Sequence, residues 1–379
     1  AKKMNPNAIV VATGCYVQTD TQKLEEDSAV DLILGNNQKK QIVEALEEYE
    51  KEHTKKVKVI EINKTKEYEE LSIGYTAEHV RAYIKVQDGC NQFCTYCIIP
   101  YARGRVRSRK IAEVLDEVRA LAARGYKEVV LTGIHLSSYG VDFKEEERES
   151  LLSLIQAVHE VEGIQRIRLG SLEPRIITEE FMEGISSLPK VCPHFHLSLQ
   201  SGCDKTLRNM NLRYSAAEYA EKCELIRKFY PAPALTTDVI VGFPMETEED
   251  FEESYEFVKN IHFYETHIFK YSRRQGTKAA AMEGQLTEAV KSIRSEKMIA
   301  LHEIRAKEYE TSMIGKTLEL LLEEEVEING KTYFMAHSKE YVRAVIEKTK
   351  DHKVNDLVRA KAVDFADEHV LLAICEELY

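Results

Sequence analysis

The sequence predicts an α/β protein built from three units: part of a small, truncated N-terminal α/β domain, an incomplete (β/α)6 barrel and a small C-terminal β-barrel. Strand and helix patterns alternate regularly between residues 80 and 310, as they do in parallel α/β folds. A shorter version of the same alternation opens the chain, and after residue 312 only short strand patterns remain. We therefore divide the chain into 1–75, 76–310 and 312–379.

The N-terminal unit has the pattern of part of a parallel-sheet domain. Strands are predicted at 8–12 and 30–35, and an amphipathic helix at 38–50. Residues 51–79 are rich in lysine and glutamate and are interpreted as a linker. The chain does not begin with methionine, and its first residues resemble the end of a helix, so we expect the natural protein to begin earlier.

The central unit has six predicted strands separated by helical patterns. The strands are predicted at 81–87, 127–132, 166–170, 194–199, 235–241 and 264–270, and the helices at 110–124, 149–161, 178–188, 215–229 and 247–260. A complete barrel of this kind has eight strands and closes on itself. Six strands would leave one side open, which suits a bulky substrate, and chemistry is expected in the loops that follow the strands.

The C-terminal unit changes to short strands, which are predicted at 318–322, 331–334, 342–346, 357–360 and 370–374. Five such strands suit a small β-barrel of the oligonucleotide-binding kind. Residues 312–379 contain nine Lys or Arg against fourteen Asp or Glu, so this unit cannot hold a polyanion by its bulk charge.

The formal net charge of -12 argues against a protein that coats nucleic acid generally. Basic residues are nevertheless concentrated: residues 81–110 hold seven Lys or Arg against one acid, and residues 266–282 hold four against none. Confined basic stretches can hold a polyanion in one place, although a single basic loop is more often simply solvated. The sequence shows no apolar run long enough for a membrane span and no secretory segment, and its eight cysteines are unevenly spaced. These features predict a cytoplasmic protein with a metal role for its cysteines.

Three closely spaced cysteines follow the first predicted barrel strand. Cys90, Cys94 and Cys97 form the pattern C-x3-C-x2-C, so their thiolates can share one metal centre. A closed iron–sulfur cluster or a structural zinc site has four protein ligands, whereas three would leave one iron of a [4Fe-4S] cluster open to a small molecule. A zinc site would need a fourth ligand nearby, and the next candidate, His135, lies far along the chain. A disulfide with a spare thiol fits poorly with a chain that shows no secretory segment.

This spacing, with Tyr96 before the last cysteine, resembles the signature of the radical S-adenosylmethionine (SAM) enzymes. Other stretches resemble the methylthiotransferases of that superfamily, and these are residues 14–16, 98–109, 131–136, 168–174, 196–202 and 238–244. The residues before the first cysteine (87–88), after the last (101–104) and at 134–136 resemble the MtaB type, which acts on N6-threonylcarbamoyladenosine in tRNA.

The resemblance implies an N-terminal methylthiotransferase domain, a radical-SAM barrel and a C-terminal TRAM domain. It also implies two [4Fe-4S] clusters and SAM as cofactors. The three loop cysteines would bind the cluster that cleaves SAM, and three cysteines of the N-terminal domain would bind an auxiliary cluster that supplies sulfur. Cys15 matches the last of those three, and the other two would lie before residue 1.

The resemblance further implies SAM contacts at the ends of the barrel strands, for which the candidates are Tyr96, Gly133, Ser171, Glu173, Gln200, Arg213 and Gly242. Glu173 and Arg213 would serve the ribose and the carboxylate of SAM, although Arg213 as a solvated surface arginine and Tyr96 as an ordinary packing residue stay open. His194 and His196 share one strand face and are interpreted as barrel lining rather than metal ligands.

The function that follows is methylthiolation of C2 of N6-threonylcarbamoyladenosine at position 37 of tRNA, with SAM as radical source and methyl donor. The alternatives are isopentenyladenosine in tRNA, an aspartate of a ribosomal protein, or RNA binding without catalysis. We expect phosphates of the anticodon arm to contact four arginines, namely Arg105, Arg107, Arg273 and Arg274. We also expect a flavodoxin or ferredoxin as electron donor, and a monomer.

Overall fold

The fold was analysed in a computed structural model that describes residues 2–70, 80–147 and 149–376. The division predicted between residues 75 and 76 lies outside the described residues. Three groups of strands are present: a small parallel sheet, an incomplete barrel and a closed β-barrel.

The N-terminal unit is a three-stranded parallel sheet in the order β1-β2-β3. Its elements are β1 (Val11–Thr13), α1 (Cys15–Thr19), α2 (Thr21–Glu26), β2 (Leu32–Leu34), α3 (Ile42–Glu52) and β3 (Lys56–Lys58). The central strand β2 is wholly buried because one of its faces packs against Val17 and Leu24 and the other against Ala45. The interpretation of 51–79 as a linker was wrong for β3, which is a polar edge strand and therefore lacks the apolar run of a buried strand.

The central unit begins with β4 (Arg81–Asp88), α4 (Ile99–Ala102), β5 (Arg107–Ser108), α5 (Ile111–Ala123), β6 (Glu128–Gly133), α6 (Leu151–His159), β7 (Arg166–Leu169) and α7 (Glu179–Ser186). It continues with β8 (His194–His196), α8 (Asp204–Asn209), α9 (Ala216–Phe229), β9 (Ala234–Val241), α10 (Glu248–Ile261), β10 (Glu265–Lys270) and α11 (Glu288–Thr311). Parallel pairing runs from β4 through β6 to β7 and from β8 through β9 to β10. Two parallel bridges join β7 to β8, so the six strands follow one another in chain order as predicted.

Local signals explain where the helices of this unit begin. Ser150, Thr178, Ser215, Thr247 and Thr287 each accept a hydrogen bond from a backbone N–H in the first turn of the helix that follows. The apolar faces of these helices pack on the strands in one continuous core. Among the described residues, no helix combines the length and the apolar composition that crossing a membrane requires.

The C-terminal unit is a closed five-stranded barrel in the order β11-β12-β13-β15-β14. Its strands are β11 (Thr317–Ile328), β12 (Lys331–Ser338), β13 (Arg343–Glu347), β14 (Leu357–Asp367) and β15 (Val370–Cys375). The pairing of β11 with β14 closes the barrel. Strands β11 and β14 are longer than predicted, because their polar second halves are held by hairpin pairing with β12 and β15 rather than by burial.

The C-terminal barrel packs against the N-terminal ends of the central strands. Glu128, at the start of β6, is buried and lies 2.9 Å from Nε of Arg168, while Arg166, at the start of β7, reaches Glu319 of β11 at 3.0 Å. The ring of Tyr341 lies 4.6 Å from the Arg168 guanidinium. Burial alone would raise the pKa of Glu128, but the surrounding arginines hold it below its usual value. The C-terminal barrel therefore occupies the end of the central unit opposite to the loops that follow the strands.

Candidate active site

The cysteine loop begins directly after β4 and is fixed by its backbone. Gly89 has a φ of 71°, and a Cβ atom there would collide with the carbonyl oxygen of Arg105. Only glycine allows this close crossing, which the hydrogen bond from Cys90 N–H to Gly104 O (3.0 Å) secures. Cys97 N–H in turn donates to Cys94 O at 3.0 Å, so the last two cysteines lie in one turn.

Two later segments of the central unit hold the loop from its sides. Thr95 donates its hydroxyl to Asn209 O (2.8 Å), and Asn211 Nδ2 donates to Phe93 O (3.1 Å) in the segment after β8. The N–H of Ala279, in the segment after β10, donates to Thr95 O at 2.8 Å. The loops after the first, fourth and sixth strands therefore meet around the three cysteines.

A cleft of about 180 Å³ opens beside the cysteines. All three cysteines line it, and so do five of the residues predicted to contact SAM, namely Tyr96, Ser171, Glu173, Gln200 and Arg213. Glu173 accepts a hydrogen bond of 2.5 Å from Arg175, and Arg213 is exposed at the rim. These residues come from four different loops, so the fold rather than the sequence brings them together.

The two glycines predicted to contact SAM do not line the cleft. Gly133 ends β6, where a Cβ atom would lie 2.9 Å from Oε1 of Gln87, so it permits close packing of β6 on β4. Gly242 has a φ of 73°, and its N–H donates to Glu246 at 2.9 Å. Both glycines shape strand ends, and SAM contact by either of them stays a prediction.

The cysteine loop fits a cluster better than a single ion. In the described part of the chain, one set of three possible metal-ligand atoms lies within 4.8 Å of one another, and that set contains no cysteine. The three loop sulfurs are therefore spaced more widely than ligands of a single ion. A cluster binds each thiolate through a different iron, so wider spacing is what it requires. Burial raises the pKa of Cys94 to about 12 and raises that of Cys90 and Cys97, so the free thiols are protonated and ligation would release protons.

One residue of the cleft was missed as a functional candidate in the sequence. His135 follows β6 and its Nδ1 lies 2.7 Å from the Ser138 hydroxyl, whereas its buried Nε2 has no hydrogen-bond partner among the described residues. Burial lowers the pKa of His135 to about 4, so the imidazole is neutral at neutral pH. Its position directly after a barrel strand was the available signal, because ligand contacts in such folds come from these loops.

Cys15 lies against the segment that follows the cysteine loop. Its Sγ accepts a hydrogen bond of 3.0 Å from Nε of Arg103, and Asn36 ties the same region together by donating to Ala102 O at 2.6 Å. The Arg103 guanidinium also lies 3.7 Å from Asp88, directly before Gly89. A single arginine therefore connects Cys15 with the start of the cysteine loop.

The predicted phosphate contacts divide into exposed and buried arginines. Arg105 is exposed with its guanidinium 4.6 Å from the Phe93 ring, and Arg273 and Arg274 are exposed on the segment after β10. Arg107 is different, because only 1% of its side chain is accessible and it pairs with Asp88 at 3.5 Å. A guanidinium committed to this inner network has no face for a phosphate, so the expectation for Arg107 is corrected.

An incomplete six-stranded β/α barrel with three cysteines after its first strand, beside a cleft at the strand ends, defines a radical-SAM enzyme. Residues 84–258 match the model of the Radical SAM superfamily. Among solved structures, the cobalamin-dependent SAM radical enzyme OxsB superposes with a TM-score of 0.50. The superposition covers 79% of this chain and 43% of the OxsB chain at 11% sequence identity, so it shows a likeness of fold alone.

Curated relatives narrow the family. The threonylcarbamoyladenosine tRNA methylthiotransferase MtaB of Bacillus subtilis (strain 168) is 39% identical over 95% of this chain and 80% of its own. The enzyme of the same name from Aquifex aeolicus (strain VF5) is 43% identical over 88% and 80%. A tRNA-2-methylthio-N(6)-dimethylallyladenosine synthase of Thermoanaerobacter pseudethanolicus is 38% identical over 85% and 68%. The chain belongs to the MtaB-type tRNA methylthiotransferases, which confirms the predicted family.

Proposed function

We propose that this protein transfers a methylthio group to C2 of N6-threonylcarbamoyladenosine at position 37 of tRNA. The observation that carries the proposal is the three-cysteine loop beside a cleft of about 180 Å³, in a chain that shares 39% and 43% identity with enzymes named for this nucleoside. The C2–H bond of adenine has no useful acidity, so acid–base catalysis cannot open it. When bound, two [4Fe-4S] clusters and SAM supply the carbon radical, the sulfur atom and the methyl group.

Different residues of the cleft would bind different groups of SAM. The three loop cysteines would bind the first cluster, and the cleft beside them is lined by one acidic residue, Glu173, and one basic residue, Arg213. A carboxylate suits the ribose hydroxyls and a guanidinium suits the methionine carboxylate. His135, which is neutral and whose buried Nε2 has no partner in the ranges that the structure describes, adds an uncharged hydrogen-bonding group.

Cys15 would bind the auxiliary cluster. Its Sγ already accepts a hydrogen bond from Nε of Arg103, which fixes the position of the sulfur. The contact also sets Cys15 beside the segment that leaves the cysteine loop.

The anticodon arm of tRNA would lie on the loops around the cysteines. Arg105, Arg273 and Arg274 are exposed there, whereas the acidic C-terminal barrel packs on the opposite end of the strands. The arginines would therefore provide the phosphate contacts, and the C-terminal barrel would guide the rest of the tRNA. We propose a cytoplasmic monomer, reduced by a flavodoxin or ferredoxin.

The test is mass spectrometry of tRNA nucleosides from cells lacking the gene. The 2-methylthio derivative of threonylcarbamoyladenosine should disappear, return with the wild-type gene and stay absent with Cys94→Ala. Cys203→Ala is the matched control, because Cys203 is a buried cysteine distant in sequence from the loop and outside the cleft lining. If the cells instead lose the 2-methylthio derivative of dimethylallyladenosine, the second candidate function, methylthiolation of that nucleoside, is favoured. The Thermoanaerobacter relative, which is 38% identical, is named for that reaction.

A further inference from the structure

Three polar side chains face one another inside the central barrel. His196 ends β8, Asp238 lies in β9 and His267 lies in β10, and one ligand atom of each falls within 4.8 Å of the others. Asp238 and His267 are paired in register across neighbouring strands. His196 Nε2 lies 3.3 Å from Asp238 Oδ2, and the two imidazole rings are 5.6 Å apart. We call these three residues the polar triad.

The polar triad lies one layer below the cleft. Residues 196, 198 and 200 alternate along the chain with Phe195, Leu197 and Leu199, which are buried in the hydrophobic core. The first set therefore faces the barrel interior, and its upper members, Ser198 and Gln200, line the cleft. Two residues of extended chain span about 6–7 Å, so a group reaching that far down from the cleft would meet the triad.

The triad has hydrogen-bonding capacity that the protein does not use. His196 Nδ1 lies 3.0 Å from the Thr236 hydroxyl. Its buried Nε2 lies 3.3 Å from Asp238 Oδ2 but does not have the geometry of a hydrogen bond to that oxygen or to any other described residue. His267 is exposed on β10, the last of the six strands, so the triad is accessible from the open side of the barrel. Buried polar groups left unpaired are costly, and a polar ligand removes that cost.

We infer that the polar triad is the subsite for the polar substituent on N6 of the target adenosine. The inference rests on the proposed function. A threonylcarbamoyl group carries ureido N–H groups, a hydroxyl and a carboxylate. The imidazoles of His196 and His267 donate to the carboxylate, and Asp238 accepts from an N–H or the hydroxyl.

The same triad rejects a hydrocarbon substituent. A dimethylallyl group placed there would desolvate two imidazoles and a carboxylate without offering any of them a hydrogen bond. Sites built to hydrogen-bond a ligand discriminate strongly against analogues that lack the group. The triad thus gives a physical reason why this chain would select threonylcarbamoyladenosine over the substrate of its dimethylallyladenosine relatives.

A metal ion is the competing occupant. Two histidines and one aspartate are suitable ligands, but a closed structural zinc site has four, and here one of the three ligands is exposed. The proposed substrate brings a polar substituent that matches the donors and the acceptor of the triad. The metal is therefore treated as an outcome of the test.

The test is fluorescence anisotropy with anticodon stem-loop RNAs that carry threonylcarbamoyladenosine, adenosine or dimethylallyladenosine at position 37. The wild-type protein should bind the first about 10- to 100-fold more tightly than the second, as expected for hydrogen bonds to charged groups. His267→Phe should remove most of this preference and improve binding of the dimethylallyl RNA. Asp238→Asn should weaken the preference for threonylcarbamoyladenosine while keeping the size and shape of the side chain. His159→Ala, on the outer helix α6, is the matched histidine control and should retain the wild-type preference.

Two results would overturn the inference. One is a wild-type protein that binds the three RNAs equally while cells still make the 2-methylthio derivative of threonylcarbamoyladenosine; the subsite is then wrong and the proposed function stands. The other is elemental analysis of the cluster-loaded protein that finds one zinc or manganese per chain, lost in His267→Phe without a change in RNA preference. Cells lacking the gene that keep the derivative would instead contradict the proposed function itself.

Discussion

Replacing Arg273 and Arg274 together with alanine should flatten the salt dependence of tRNA binding. Both side chains are exposed on the segment after β10, and the same segment holds the cysteine loop through Ala279. The acidic C-terminal barrel lies at the far end of the strands and cannot replace their charge. Two lost phosphate contacts should therefore appear directly in the number of counterions released on binding.

The size of the effect follows from that number. Each phosphate contact contributes about 0.9 to the slope of log affinity against log salt, so two contacts contribute about 1.8. When salt rises fourfold, from about 50 to about 200 mM, the wild-type affinity should fall about 12-fold more than that of the double variant. At the low-salt end the variant should bind more weakly, and the two curves should converge as salt rises.

The assay is a salt titration of anticodon-arm affinity by fluorescence anisotropy. Arg359→Ala is the control, because Arg359 is an exposed arginine on β14 of the C-terminal barrel, 74% accessible and 3.7 Å from Glu376. It should leave the slope unchanged. Equal slopes for the wild type and the double variant, or a flatter slope for Arg359→Ala, would refute the assignment of the phosphate contacts to the cysteine end.

Three further predictions concern the cluster, the interface between barrels and pH. Alanine at any of the three loop cysteines should abolish reductive SAM cleavage, whereas Cys203→Ala should preserve it; 5′-deoxyadenosine from a reconstituted loop variant would contradict the cluster assignment. Glu128→Gln should destabilise the protein by about 3–5 kcal/mol in denaturant titrations, because it leaves buried guanidiniums uncompensated. Glu319→Gln is the control: the Glu319 side chain is 39% accessible, so its replacement should cost no more than about 1 kcal/mol. Burial alone would lower the pKa of His369, but hydrogen bonds to two glutamates of α11 raise it. The contribution of His369 to stability is therefore complete below an unfolded-state pKa of about 6.5 and is lost as pH rises through the folded-state pKa. His369→Gln should reduce this pH dependence of the unfolding free energy, and an unchanged pH profile would disprove the assignment.

The six central strands could be predicted because their signals are local. Each strand carries apolar residues, either consecutive or alternating with polar ones, and a helical pattern follows it in the chain; the caps at Ser215 and Thr247 mark where helices begin. Strand β3 lacked such a signal. Its residues Lys56–Lys58 are polar and are held at the sheet edge by backbone pairing with β2, which depends on the register of a neighbour and not on its own composition.

The arginines show a second limit of sequence reasoning. Arg105 and Arg107 stand two residues apart in one basic segment, yet one is exposed over Phe93 and the other is enclosed beside Asp88. Side chains two residues apart on an extended segment share a face, so alternation would have predicted similar environments for both arginines. The strand β5 begins only at Arg107, and the pairing of that residue with Asp88 encloses it. Charge counting therefore located the basic surface without identifying its members.

The sequence by itself determined the class of chemistry, because the spacing of Cys90, Cys94 and Cys97 in one loop needs no distant partner to specify a three-thiolate site. Only the tertiary structure decided what surrounds that site. Its cleft draws His135 and Arg213 from separate loops, and the polar triad is assembled by the register of three neighbouring strands. Contacts between residues far apart in sequence depend on how elements pack, and packing is a property of the whole folded chain that no local pattern contains.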